Sequence, residues 1–160
     1  MAGAYAQALL VRAGKVLLVR HASGQYFGRW TGLIAPCADK ELPITAAARA
    51  ASQVGFSLPE SALRMRAVLQ FDDRSCDEKY TETVFVTDLP DGDKTVAMAT
   101  RHLLPAWHPI ESLPLNMPDD DDHWYAAVLS ERPGLVRGSF TFDEDNNLVH
   151  ASVTEDTDAV

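Results

Sequence analysis

One uninterrupted helix-forming stretch, residues 45–54 (TAAARAASQV), lies between β-compatible runs on both sides. It is alanine-rich, has no internal Gly or Pro, and is followed by Gly55, a residue suited to a helix C′ position. Pro43 fits its first turn, while Leu42 offers no side-chain cap. Ala47, Ala50, Ala51 and Val54 share a face at helical spacing, and such a face packs on a sheet.

The rest of the chain supplies that sheet. Residues 5–12 (YAQALLVR) and 15–21 (KVLLVRH) flank Ala13-Gly14 and read as a hairpin. Residues 21–32 and 36–43 read as loops around a short strand at 31–35. Residues 63–71 (LRMRAVLQF) and 81–89 (TETVFVTDL) read as strands, and 106–109 as a short extended piece. Residues 120–130 (DDDHWYAAVLS) have an acidic start and an apolar body, which predicts a second helix. Residues 138–142 and 148–153 flank 143–147 as a closing hairpin. This order predicts an α+β fold, an α/β/α sandwich with a mixed sheet between two main helices and a C-terminal hairpin. A length of 160 residues suits one domain, 1–160, with a polar tail at 154–160 that frays.

Charge is unevenly placed. The chain carries −9 overall, yet residues 1–71 hold eight basic and three acidic residues, and residues 72–160 hold six basic and twenty acidic. An acidic chain is unsuited to wrapping a nucleic-acid duplex, which requires phosphate neutralisation. The positive half remains able to host a small anionic ligand. No apolar run approaches the roughly 20 residues of a membrane span, and residues 1–10 lack a signal-peptide pattern. Two cysteines, Cys37 and Cys76, make neither a disulfide framework nor a four-ligand zinc site, so a reducing cytoplasm is expected. Neither has an adjacent basic residue or a CxxC pattern, and the five histidines show no metal-ligand spacing.

Three pieces occur in a fixed order: Gly28-Arg29-Trp30-Thr31-Gly32 after the first hairpin, the alanine helix closed by Gly55-Phe56, and Trp107-His108-Pro109 running on to Met117-Pro118-Asp119-Asp120-Asp121-Asp122-His123-Trp124. Together they resemble the Nudix superfamily, in its MutT-type branch that hydrolyses oxidised purine nucleoside triphosphates. The resemblance covers nearly the whole chain. It implies a helix–sheet–helix sandwich, a small nucleotide or related phosphate ligand, and often a homodimer.

Members of that family carry the box G-x5-E-x7-R-E-U-x-E-E-x-G-U, where U is aliphatic. Its glutamates line one helix face and hold Mg²⁺ against the substrate diphosphate, chemistry that suits a hard cation. Here the box is degenerate. Counted forward from Gly32, its first Glu falls on Glu41 and its Arg on Arg49, and its glutamates fall on Ala50, Gln53 and Val54. Counted back from Gly55, its glutamates fall on Arg49, Ser52 and Gln53. From residue 42 to 59 there is no Asp or Glu at all, and Arg49 is the only charge. The family's metal site is therefore expected to be absent or severely weakened. A re-sited Mg²⁺ would need Glu41, beside Asp39 in the loop, together with Asp72, Asp73, Asp77 and Glu78; the alternative for that cluster is an acidic surface turn.

Ligand recognition is the remaining candidate role. The Pro-Asp-Asp segment resembles the place where the MutT-type branch reads a purine edge with paired carboxyls. Asp119 and Asp120 match when counted from Pro118, and Asp120 and Asp121 when counted from Trp124. Adjacent carboxyls beside an apolar pocket share a proton, giving one donor and one acceptor. The competing reading is an acidic helix N-terminus. Trp30, Trp124 and Phe71 are candidates to stack on a base or to fill the core. Arg20, Arg29 and Arg49 are candidates to meet phosphate or to remain solvated. Ser52 and Gln53 read either as degenerate box positions or as solvated helix polars.

Overall fold

The computed structural model of the chain describes residues 2–156. Among these residues nine strands form one mixed sheet: β1 (Ala2–Arg12), β2 (Lys15–His21), β3 (Trp30–Thr31), β4 (Leu33–Pro36), β5 (Arg64–Asp73), β6 (Glu78–Asp88), β7 (Leu103–Pro109), β8 (Leu135–Phe142) and β9 (Leu148–Asp156). Two α-helices, α1 (Pro43–Ser52) and α2 (Tyr125–Val128), cover its faces. The main path runs β3-β2-β1-β6-β5-β8-β9, with β4 paired to β1 and β7 to β2. The β1–β6 and β5–β8 pairs are parallel and the others antiparallel. The architecture is the predicted α+β sandwich. Among the described residues no helix is long and apolar enough to cross a membrane.

Alternation along β1 sorts its side chains between two cores. Ala6, Ala8 and Leu10 point to the α1 side, with Ala46, Ala47, Ala50, Ala51 and Val54 packed above them. Leu9 points to the other side, where Leu69, Val84, Val86, Trp124 and Val128 meet. Alanine on both helix and strand lets α1 lie close to the sheet.

The ends of α1 follow from their residues. Pro43 opens the helix without needing an N–H partner, and Leu42 makes no side-chain cap. At the other end Gly55 adopts φ +95, the Phe56 N–H bonds the Ala51 carbonyl at 3.1 Å, and the Gly55 N–H bonds the Ser52 carbonyl at 3.2 Å. That is the Schellman bond pair, with glycine at the left-handed position.

The second helix is shorter than the 120–130 stretch predicts. A 3₁₀ turn (Asp121–His123) comes first, and Trp124 at φ −136, ψ −21 interrupts the helical path before Tyr125. The Arg66 guanidinium then takes the carbonyls of Ala127 (3.0 Å), Val128 (3.3 Å) and Gly134, ending the helix with a buried cation.

Candidate functional site

A cavity of about 260 Å³ opens on the sheet face that carries α2. Its floor comes from alternate residues of three central strands: Tyr5 and Gln7 on β1, Phe71 on β5, and Tyr80 and Glu82 on β6. Pairing places Tyr5 opposite Glu82 and Phe71 opposite Tyr80. The Tyr80 ring stacks on Phe71 with centroids 4.8 Å apart and meets Tyr5 edge-on at 5.2 Å. The walls come from loops. Tyr26 and Arg29 rise from the β2–β3 connection, and Pro118, Asp120 and Asp121 from the segment before α2. That segment is pinned beside the β2–β3 loop, because the Trp30 N–H bonds the Asn116 carbonyl at 2.8 Å and the Asn116 amide donates to the Gly28 carbonyl.

A buried polar network sits beneath the cavity. The Gly32 N–H (3.0 Å) and the Tyr125 hydroxyl (2.5 Å) both donate to Gln7 Oε1. The amide oxygen is thus committed, and Gln7 Nε2 points the other way and donates to Glu82 Oε1 at 2.6 Å. Among the described residues no cation acts on Glu82. Burial first, then the charge of Asp120, pushes its carboxyl up to about 8, partly offset by the Gln7 hydrogen bond. Burial also raises Asp120, against the pull of the Trp124 indole N–H, which donates to Asp120 Oδ2 at 2.9 Å. Asp121 is held well above the usual carboxylate range by burial, then by Asp120 and Glu82. The hydrogen bond between Asp120 and Asp121 lowers the first and raises the second, so Asp121 is the proton holder of the pair.

The candidate residues separate into two groups. Asp120, Asp121, Arg29 and Phe71 line the cavity. Asp119 is exposed. Trp124 is buried and braces Asp120 from behind. Trp30 packs edge-on against His108 with centroids 4.6 Å apart, outside the cavity lining, as is Arg20. The degenerate box residues lie elsewhere. Arg49 and Ser52 on α1, and Gln53 just after it, are exposed. Arg49 bonds both Glu41 oxygens (2.8 and 3.2 Å) and the Pro36 carbonyl (2.6 Å). The Ser52 hydroxyl turns back to the Arg49 carbonyl at 2.6 Å.

These residues do not fit a magnesium cradle. The helix face offers a guanidinium and neutral groups, Glu41 is consumed by that guanidinium, and Glu60 accepts from the Thr45 hydroxyl at 3.1 Å. Nor does Glu41 join the acidic cluster: Asp73 and Glu78 line the cavity and Glu41 does not. Among the described residues no group of three or more His, Cys, Asp or Glu side chains is placed to hold a metal ion.

No protein-family model and no curated protein sequence matches the chain. Solved structures do. A mutator MutT protein from Bacillus halodurans superposes with a TM-score of 0.69 at 14% identity, over 94% of this chain and 97% of that one. A MutT Nudix hydrolase from Burkholderia pseudomallei gives 0.68 at 18% identity, over 81% and 99%. The chain has the Nudix fold. A bifunctional NMN adenylyltransferase/ADP ribose pyrophosphatase from Francisella tularensis, complexed with AMP and a manganese ion, matches over 72% of this chain and 35% of its own, at a TM-score of 0.57 and 18% identity. Within this Nudix fold, sequence reasoning passed over Glu82, Gln7, Tyr125, Tyr26 and Tyr80. The signal for two of them was present. Glu82 is the lone acid within YTETVFVT, and Gln7 is the lone polar residue within AQALLV.

Proposed function

We propose that this chain is a small-molecule binding module on a Nudix fold, taking the base of a nucleotide into the α2-side cavity, with pyrophosphohydrolase chemistry impaired. One contrast carries the reading. The base-side cavity is furnished with aromatic rings and the Asp120–Asp121 pair, while α1 presents no carboxylate and spends Arg49 on Glu41. A protonated Asp121 beside an ionised Asp120 offers one donor and one acceptor to a heterocycle edge. Phe71, Tyr80 and Tyr26 supply apolar ring surface, which is the usual setting for a few orienting polar groups. Arg29 is the lining cation able to meet a phosphate leaving the cavity. The AMP held by the Francisella tularensis neighbour supports a nucleotide-type ligand. The absence of disulfide-type cysteine usage supports a reducing, cytoplasmic setting.

The test pairs binding with turnover. Nucleoside mono-, di- and triphosphates are titrated calorimetrically, and release of phosphate or pyrophosphate is followed with Mg²⁺ or Mn²⁺. Saturable binding is expected with turnover many orders below the roughly 1–10³ s⁻¹ typical of enzymes. Turnover within a few orders of that range overturns the impaired reading. Asp120→Asn together with Asp121→Asn is expected to weaken binding about tenfold or more, as loss of buried charge-assisted hydrogen bonds does. Unchanged affinity removes the pair from recognition.

A further inference from the structure

The charges lining the cavity are unbalanced. Five acids line it, Asp73, Glu78, Glu82, Asp120 and Asp121, against one base, Arg29, among the described residues. Glu82, Asp120 and Asp121 are each only 5% exposed. The charges that bear on Glu82 and Asp121 are those of other carboxyls, and Arg29 is not among them. Asp120 and Asp121 share a hydrogen bond, so the Asp121 proton is already engaged. Glu82 differs: its Oε1 accepts from Gln7 Nε2, and no described residue donates to Oε2. With only carboxyls for charged neighbours, a buried acid avoids the cost of its own charge by holding a proton. A cation in the cavity would take that proton's place.

We propose that this cavity takes a flat organic cation, a heteroaromatic ring with a delocalised positive charge, and that the Glu82 carboxylate is its counter-ion. The proposal rests on the base-binding reading above for the place of the ring, and it names the class of ring. Aromatic side chains favour an organic cation over a metal ion. Tyr80 stacks on Phe71 and meets Tyr5 edge-on, so much of the floor is ring surface. Aromatic faces attract cations, most strongly where water is excluded. A bare divalent ion instead asks for a shell of about six oxygens, which rings do not supply. A volume of about 260 Å³ admits one or two fused rings. Asp73 and Glu78, half-buried at the β5–β6 turn, add a field of the sign that draws a cation in. Arg29 stays available for an anionic group on the same ligand. The exchange balances. As the cation enters, the Glu82 O–H bond breaks, its proton passes to solvent, and the carboxylate keeps the electron pair. One positive charge replaces another, so the buried site gains no net charge.

Isothermal titration reads the charge with ligand pairs of equal shape: 1-methylnicotinamide against 3-methylbenzamide, and 1,3-dimethylbenzimidazolium against 1,3-dimethylindole. Each cation is expected to bind at least about tenfold more tightly than its neutral partner. Titration at about pH 6.5 in two buffers of different ionisation enthalpy counts the protons exchanged. Glu82, pushed up to about 8 by burial and then by Asp120, holds its proton there. The cations are therefore expected to release protons, and the neutral partners none. Glu82→Gln keeps the shape and an oxygen for Gln7 Nε2 but cannot ionise. Its cation preference is expected to fall to about one and its proton release to vanish. Both cations failing to outbind their partners, cation binding without proton release, or a preference kept by Glu82→Gln overturns the proposal, and nucleotide binding in the panel above then leaves the base-binding reading intact. A Glu82-dependent cation preference with no nucleotide bound overturns the nucleotide reading and keeps the proposal. Failure of both pairs and every nucleotide overturns both. Should Glu82→Gln fail to fold, the wild-type ratios and proton release still decide.

Discussion

Gly32 has no side chain because Gln7 occupies the space. A Cβ there would stand 2.4 Å from Gln7 Oε1 and 2.5 Å from Leu9 Cδ2. Its N–H is shared between Gln7 Oε1 and the Tyr125 hydroxyl, each at 3.0 Å. Gly32→Ala is therefore expected to destabilise the protein by about 1–3 kcal/mol through overpacking. It should also weaken ligand binding, since Gln7 forms part of the cavity floor. Urea denaturation alongside the nucleotide titration checks both, and an unchanged midpoint would show that Gln7 repacks freely. The glycine itself was legible in the G-R-W-x-G element. Its neighbour was not, because residues 7 and 32 meet only across the β1–β4 region of the sheet.

Helix α1 is the element most readable from sequence, and the one whose meaning changed least. Alanine spacing, Pro43 and Gly55 each act locally, so its burial pattern and both ends follow from nearby residues. Overpacking it has a clear cost. Ala47 is fully buried against the sheet, and Ala47→Leu is expected to cost about 1–3 kcal/mol. Thermal unfolding checks this, and a variant as stable as the parent would mean that the helix can lift off the sheet without loss. Helix α2 is the opposite case. Its apolar body predicted a longer helix, but Trp124 leaves the helical path and donates to Asp120, and Arg66 closes the other end from β5. Both interruptions come from tertiary partners, which no local propensity reports.

Across the molecule, the buried acids invert the usual dependence of stability on pH. Glu82 titrates near 4.5 when exposed and is pushed up to about 8 in the folded protein. Between those values the folded state holds a proton that the unfolded state has released. Stability from this group is thus complete below about 4.5 and is lost as pH rises through about 8. Asp120 and Asp121 are raised as well and act in the same direction. Glu41, Asp93 and Asp143 are lowered by exposed partners, so they act at lower pH and leave this window unchanged. The melting temperature is expected to be higher at pH 5 than at pH 8.5, with Glu82→Gln flattening the difference. A flat wild-type profile would show that water or structural adjustment solvates these acids.

The net charge of −9 and its crowding after residue 71 are properties of composition, and the expectation against a duplex-wrapping surface rests on them without any coordinates. Likewise, residues 42–59 hold no Asp or Glu, so that stretch offers a hard cation no carboxylate whatever the fold, because ligand type is a property of the residue. The meaning of the acids that remain depended on pairing. Asp119 to Asp122 form one run in the sequence, yet only Asp120 and Asp121 are turned inward. Glu82 reads as one acid among twenty in that half, and becomes a buried acid of the cavity floor because β6 lies between β1 and β5. Flanked on both edges, β6 turns its alternate side chains into protein, and the desolvation that this imposes is a sum over neighbours far away in the chain.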